Sequence, residues 1–206
     1  MLGAVALVAI GGSAYLVRGL QPSEAAIAEG NAFTAADNQM MAAMMGSAVV
    51  YSGDPDRDFV MLMVPHHQGA IDMAAVELKY GADAAILKLA GAITAAQRPE
   101  IDQLRAWQQA HGAVATADAA VEQTAFTAAG QTMMNGMMGD SMAHSGNADV
   151  DFVKMMIPHH QGAIAMANVE LKYGKDAGLH ALAEAIIAAQ QGEIAEMNAW
   201  LKAAGR

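Results

Sequence analysis

The hexapeptide Pro-His-His-Gln-Gly-Ala occurs twice, at Pro65 to Ala70 and at Pro158 to Ala163. In each copy a methionine stands three residues before the first histidine and another stands seven after it. Imidazole and thioether are both metal ligands, and helix residues three, four and seven apart share a face. The pattern therefore predicts two soft donor sets, Met63, His66, His67 and Met73 in one copy and Met156, His159, His160 and Met166 in the other. Thioethers are poor partners for Mg²⁺, Ca²⁺ or Mn²⁺, whereas Met with His suits copper: Met favours Cu(I), imidazole accepts Cu(I) or Cu(II), and silver is an expected mimic. A second group of soft ligands is expected from Met40, Met41, Met44 and Met45 and from Met133, Met134, Met137 and Met138, where residues four apart share a helix face. With 17 Met against 11 Lys and Arg the composition is unusual, and with 0 Cys it excludes disulfides, zinc–thiolate sites and cysteine catalysis.

These donors lie on helices. Asp58 to Gly81 and Asp151 to Gly174 agree at 19 of 24 positions at an offset of 93, and the offset carries on without a gap to Gln97 and Gln190, Glu100 and Glu193, and Trp107 and Trp200. The spacing reads as a tandem duplication, with helical repeats over 31–110 and 124–203 joined by a connection over 111–123. Ala, Leu, Met, Glu and Gln dominate each repeat, and no alternating β-branched run appears, so strands are expected to be nearly absent. In repeat one a short Met-rich helix runs from about Thr34 to Met45. A second helix follows, capped by Asp54 with Pro55 at its first position and stopped by Gly81. A third begins after Asp83, runs to about Trp107 and is expected to kink at Pro99. Asn147, Gly174 and Asp176 play the corresponding parts in repeat two. Two long helices per repeat predict an all-α, pseudo-symmetric four-helix bundle with additional short Met-rich helices.

A helical wheel places Phe59, Met63, Ala70, Met73 and Glu77 within about 60° of His66, with His67 at the border. Val60, Val64, Ile71 and Leu78 are expected to widen this apolar side, opposite Arg57, Gln68, Asp72 and Lys79. The third helix answers with Ile86, Ala90, Ile93, Gln97, Ile101 and Leu104, and Glu100 at the edge. Polar groups buried on such seams must be hydrogen-bonded or ligated, because an unsatisfied one costs about 1–3 kcal/mol. Glu77, Gln97, Glu100, Glu170, Gln190 and Glu193 are the expected supporting shell around the metal ligands. Two other readings share these residues. In a structural one, His66, Gln97 and Glu77 form a hydrogen-bond network that sets helix register, and the methionines fill the core. In an enzymatic one, the same carboxylates serve a ferritin-like redox centre, although no Glu-x-x-His is present to build the usual di-iron shell. No His-Glu-x-x-His or Gly-x-Ser-x-Gly motif points to hydrolysis.

Leu2 to Val17 is uncharged and apolar up to Arg18, which suits a signal peptide or membrane anchor over 1–22 and predicts export to the periplasm, the medium or the outer membrane face, with membrane contact through that segment alone if it is retained. A balance of 11 basic against 21 acidic residues, net −10, offers no field for a nucleic acid and fits a cationic partner, here a metal ion.

The repeated Met-x-x-His-His-Gln-Gly-Ala-x-x-Met-Ala core is followed by Gln-x-x-Glu-Ile and by a Trp six residues after that Ile. In this it resembles the bacterial family catalogued as domain of unknown function 305. The resemblance covers both repeats. It implies a ferritin-like helical fold, a location outside the cytoplasm and, by analogy with periplasmic copper-resistance members, copper ligation by His66, His67, Met63 and Met73 and by His159, His160, Met156 and Met166.

Overall fold

The side-chain caps foreseen at Asp54, Asp83, Asn147 and Asp176 each open a helix in the computed structural model, which describes residues 7–10, 13–16, 23–45, 51–112, 120–137 and 144–205. The elements in chain order are β1 (Leu7–Ile10), β2 (Ser13–Leu16), α1 (Glu24–Met45), α2 (Pro55–Tyr80), α3 (Ala84–His111), α4 (Ala120–Met137), α5 (Ala148–Tyr173) and α6 (Ala177–Ala203). Asp83 accepts from the amides of Ala85 and Ile86, and Asp176 from those of Gly178 and Leu179, so each satisfies two amides that a helix start leaves unpaired. α2 and α5 are both 26 residues long and start 93 residues apart (148 − 55 = 93). α3 runs unbroken through Pro99.

Three expectations are corrected. α1 has 22 residues and α4 has 18, so the Met-rich helices are not short. Ser23 accepts from the Ala26 amide and starts α1 ten residues before Thr34, and the Ala-rich stretch between them propagates the helix. α4 likewise begins inside the expected connection, at Ala120. Leu78, expected on the apolar side, is 50% exposed, because the buried arc of α2 is narrower than its apolar arc. Most of the expected leader or anchor over 1–22 lies outside the described residues. Within it β1 and β2 pair antiparallel, from Leu7 with Leu16 to Ile10 with Ser13. Among the described residues no helix is long and apolar enough to cross a membrane.

α2 and α5 form the central pair. α3 lies along α2, α6 along α5, α1 packs on α2 and α4 on α5, while α3 and α6 meet only briefly. Phe33, Phe59, Phe126 and Phe152 are buried beside Ile86, Ile93, Leu104 and Ile186, and this single core spans both halves. The stripe read on α3 from Ile86 to Leu104 is the buried one, Gln97 included.

Candidate metal centre

The acidic ends of α2 and α5 fix how the two helices meet. Asp149, in the first turn of α5, accepts from the amides of Ala82 and Asp83 just past the end of α2 at 3.0 and 2.8 Å; Asp56, in the first turn of α2, accepts from those of Lys175 and Asp176 at 3.0 and 2.9 Å. The helices are therefore antiparallel and in register. His66 and His159 are each the twelfth residue of a 26-residue helix, near the midpoint, and midpoints of an antiparallel pair cross. Their rings lie 3.8 Å apart between centroids, inclined at 41°, and both are fully buried.

This inner pair is electrically neutral. Burial, followed by the nearby imidazoles, holds both histidines well below the ordinary imidazole range, so each keeps a lone pair at neutral pH. By distance and angle neither His66 nitrogen nor Nδ1 of His159 has a hydrogen-bond partner, although each ring lies close enough to the backbone of the other histidine for that contact to offset a small part of the downward shift. Nε2 of His159 lies 3.1 Å from the sulfur of Met40, a residue of α1 in the other half of the chain. Gly69 makes this approach possible, since a Cβ there would stand 2.6 Å from the Met40 sulfur. The glycine of the His-His-Gln-Gly core thus serves as the floor under a thioether.

The outer histidines are engaged elsewhere. His67 meets Glu100 of α3 at 2.8 Å and His160 meets Glu193 of α6 at 2.7 Å, both through Nε2. One residue of helical rotation, about 100°, separates a ring that faces the other half from one tied to its own half's neighbouring helix. The amides of Gln97 and Gln190, one turn before those glutamates, are buried without a partner.

Of the thioethers, Met63, Met73, Met156 and Met166 sit in the core, together with Met40 and Met44; Met41 is partly buried. Met133, Met134 and Met137 belong to α4 and Met45 to α1, while Met138 lies outside the described residues. The imidazole–thioether contact across the halves is not readable from the sequence, because periodicity gives the face of α1 but not the helix it meets. Gly69, an interior helix glycine three residues past His66, is the signal that a neighbour comes close.

Glu77 and Glu170 are not brought to the histidines. Eleven residues along the helix is about 16 Å, and each carboxyl lies at the C-terminal end, folded so tightly under Gly81 or Gly174 that a Cβ at either glycine would overlap it. Both glycines have ordinary extended φ (−67° and −64°), so they end their helices by leaving room for a carboxyl rather than by the left-handed turn. Burial first, then the Asp149 carboxyl and the charges of Asp83 and Glu29, push Glu77 up to about 8. Burial, Asp56, Asp176 and Asp54 push Glu170 up to about 9. Ionised, neither carboxylate finds a donor; protonated, Glu77 donates to Asp149 and Glu170 to Asp56. Trp107 donates to Asp176 at 2.9 Å, and Trp200 bonds Asp83 in the same way, which lowers both aspartates.

An antiparallel helical pair with proton-sharing acids at its ends and unpartnered neutral imidazoles with a thioether at its middle defines a helical bundle built around a soft-donor centre. The chain belongs to the family of domain of unknown function 305 (DUF305), which matches residues 56–201. Among solved structures it is similar to CopM in its Cu(I)-bound form, at 31% identity and a TM-score of 0.55, over 71% of this chain and 95% of that one. The Cu(II)-bound and Ag-bound forms of CopM are equally similar. A DUF305 fragment from Deinococcus radiodurans is 28% identical with a TM-score of 0.55, over 72% of this chain and 95% of that one. A DUF305 protein from Streptomyces coelicolor, 22% identical, shares the fold at a TM-score of 0.61 over 75% and 96% of the two chains. No curated protein matches the chain.

Proposed function

We propose that this protein binds copper at the middle of the α2–α5 pair, with His66, His159 and Met40 as ligands, and that it holds the metal outside the cytoplasm as part of copper homeostasis or resistance. The observation that carries this reading is the meeting of two fully buried, neutral imidazoles at 3.8 Å with a thioether sulfur 3.1 Å from one of them. Neutral nitrogen with thioether sulfur, in a site lacking a carboxylate among the groups that meet there, favours Cu(I) over harder ions. The copper- and silver-bound forms of the similar CopM structure support the same choice. Met63, Met73, Met156 and Met166 border the centre on the same helices, and the Met-rich ends of α1 and α4 are further soft ligands. Because the ligands come from both halves, the two repeats act as one domain. Export rests on the apolar segment from Leu2 to Val17. His67 and His160, each on a carboxylate, serve as register-setting struts, the role that the structural reading gave to His66 with Gln97 and Glu77.

The test is Cu(I) competition against a chelator of known affinity, using the purified full chain. Replacing His66 and His159 together by Ala should weaken Cu(I) by about 100-fold or more, since loss even of a group supporting a ligand costs about 10–100-fold. Wild-type affinity in a variant that is still folded would sink the proposal.

A further inference from the structure

At the corner where α1 meets the start of α5, Glu29, His144 and Asp151 bring three possible ligand atoms within 4.8 Å of one another. Glu29 and Asp151 are each only 2% exposed, and no Lys or Arg is paired with either among the described residues. Both Glu29 oxygens lack a hydrogen-bond partner, as does Nδ1 of His144. An acid buried this way is unstable unless a proton or a cation faces it.

The Thr34 hydroxyl lies 2.9 Å from the Gly30 carbonyl and 3.0 Å from Nε2 of His144. With its one hydrogen on Gly30, the hydroxyl accepts from an Nε2–H, and in that tautomer the neutral ring presents its Nδ1 lone pair toward two carboxylates. Nδ1 lies 3.7 Å from Asp151 Oδ2, too long for a hydrogen bond and close to the separation of two ligands on one ion. The ring is held in place, stacked on Phe33 at 6.3 Å and lying where a Cβ on Gly30 would come within 3.1 Å of it. Asp151 is fixed by the Ser145 amide at 2.8 and 2.9 Å. An imidazole whose far N–H is anchored by an oxygen acceptor while its near lone pair faces carboxylates is the usual arrangement of a metal-ligating histidine.

From this geometry we propose that Glu29, His144 and Asp151 form a second cation site, separate from the His66–His159 centre and taking a divalent ion of the Zn²⁺ class. One nitrogen and two carboxylate oxygens suit such an ion, and the absence of a thioether from the set does not favour Cu(I). Ligands at about 2.1 Å on a tetrahedral ion stand about 3.4 Å apart, so the three atoms, now within 4.8 Å of one another, reach one ion by a closure of at most about 1.4 Å. Surface recesses reach it from two sides, one lined by Gly30, Asn31 and His144 and the other by Ser23, Glu29 and Tyr80, and these supply an entry path. The site is not repeated: 93 residues earlier Asp151 corresponds to Asp58, which likewise accepts from the Ser52 amide at 2.7 Å, but His144 corresponds to Tyr51. Without metal, the same group is held by a proton shared between Glu29, pushed up to about 7 by burial and by Asp151, and that aspartate.

Isothermal titration of the full chain with Zn²⁺ separates the two states. One Zn²⁺ should bind per chain, and binding should weaken about tenfold or more in Glu29→Gln and in His144→Ala, with a loss of about tenfold in Thr34→Val, which removes the group that orders the ring. Glu29→Gln keeps shape and removes a buried charge, so its metal-free melting temperature should equal or exceed wild type, and lost binding there is not lost folding. The variant lacking His66 and His159 should keep its Zn²⁺, which separates failure of this site from failure of the copper centre. Absence of Zn²⁺ binding, equal affinity in wild type, Glu29→Gln and His144→Ala, or loss of Zn²⁺ on removing His66 and His159 would each overturn the proposal.

Discussion

The middle and the ends of the α2–α5 pair bury polar groups in opposite ways. At the ends, acids meet backbone amides and other acids: Asp149 and Asp56 take two neighbouring amides each, and Glu77 and Glu170 share a proton with them. At the middle, neutral imidazoles and buried amides stand with most of their hydrogen-bonding atoms unpaired. The difference divides the labour. The ends set antiparallel register through bonds that the backbone supplies, and the middle is left with donor atoms free for something else.

The outer histidines cut across that division, because they lie at the middle yet each has Nε2 tied to a carboxylate, with only Nδ1 left unpaired. Replacing His67 and His160 by Ala should therefore act on stability rather than on copper. Each loses a bond to a partly exposed glutamate, about 1–3 kcal/mol, and a chain of this size loses about 2–4 °C of melting temperature per kcal/mol. Calorimetry should show a drop of several degrees with Cu(I) affinity within about threefold of wild type. A copper loss as large as that for His66 and His159 would mean that inner and outer histidines are one ligand set.

How far the sequence shows this contrast depends on the direction in which a contact runs. The helix starts were legible at Asp54, Asp83, Asn147 and Asp176, because a cap acts within three residues. The buried stripe of α3 was legible for the same local reason. A wheel, however, projects out the helix axis, so Glu77 reads as a neighbour of His66 although it lies about 16 Å along the helix. The pairing of His66 with His159 follows only once α2 and α5 are known to be antiparallel, and that is decided by Asp56 and Asp149, which no motif singles out. Gly81 was legible as a stop but not for its cause, a carboxyl folded beneath it.

Gly69 sharpens the middle of the comparison with a smaller effect. A methyl group there has no room beside the Met40 sulfur, so Gly69→Ala must push that side chain away from His159. Helix propensity itself improves by about 1 kcal/mol. The expected outcome is a protein at least as helical as wild type by circular dichroism, with Cu(I) weakened about tenfold, or about 1.4 kcal/mol. Met40→Leu should weaken Cu(I) to a similar degree. Unchanged Cu(I) affinity in both variants would remove Met40 from the centre and leave copper to the imidazoles and the remaining methionines.

The smallest effect concerns the ends, and its sign follows from their raised carboxyls. In the unfolded chain Glu77 and Glu170 titrate near 4.5; in the fold they hold their protons up to about 8 and about 9. The folded state binds more protons over this interval, so stability falls as pH rises. Their favourable contribution is complete below about pH 4.5 and is lost as pH climbs through 8 and 9. Glutamine copies the protonated form, with an amide that donates to Asp149 or Asp56 at any pH. The double variant Glu77→Gln and Glu170→Gln should therefore melt within a degree or two of wild type at pH 5 but about 2–4 °C higher at pH 9, for each kcal/mol of relief. Copper affinity at pH 7 should not change, because the carboxyls lie far along the helices from His66 and His159. A double variant whose melting temperature keeps the wild-type slope between pH 5 and 9 would show that other groups carry the pH dependence, and that Glu77 and Glu170 share no proton with Asp149 and Asp56 at the ends.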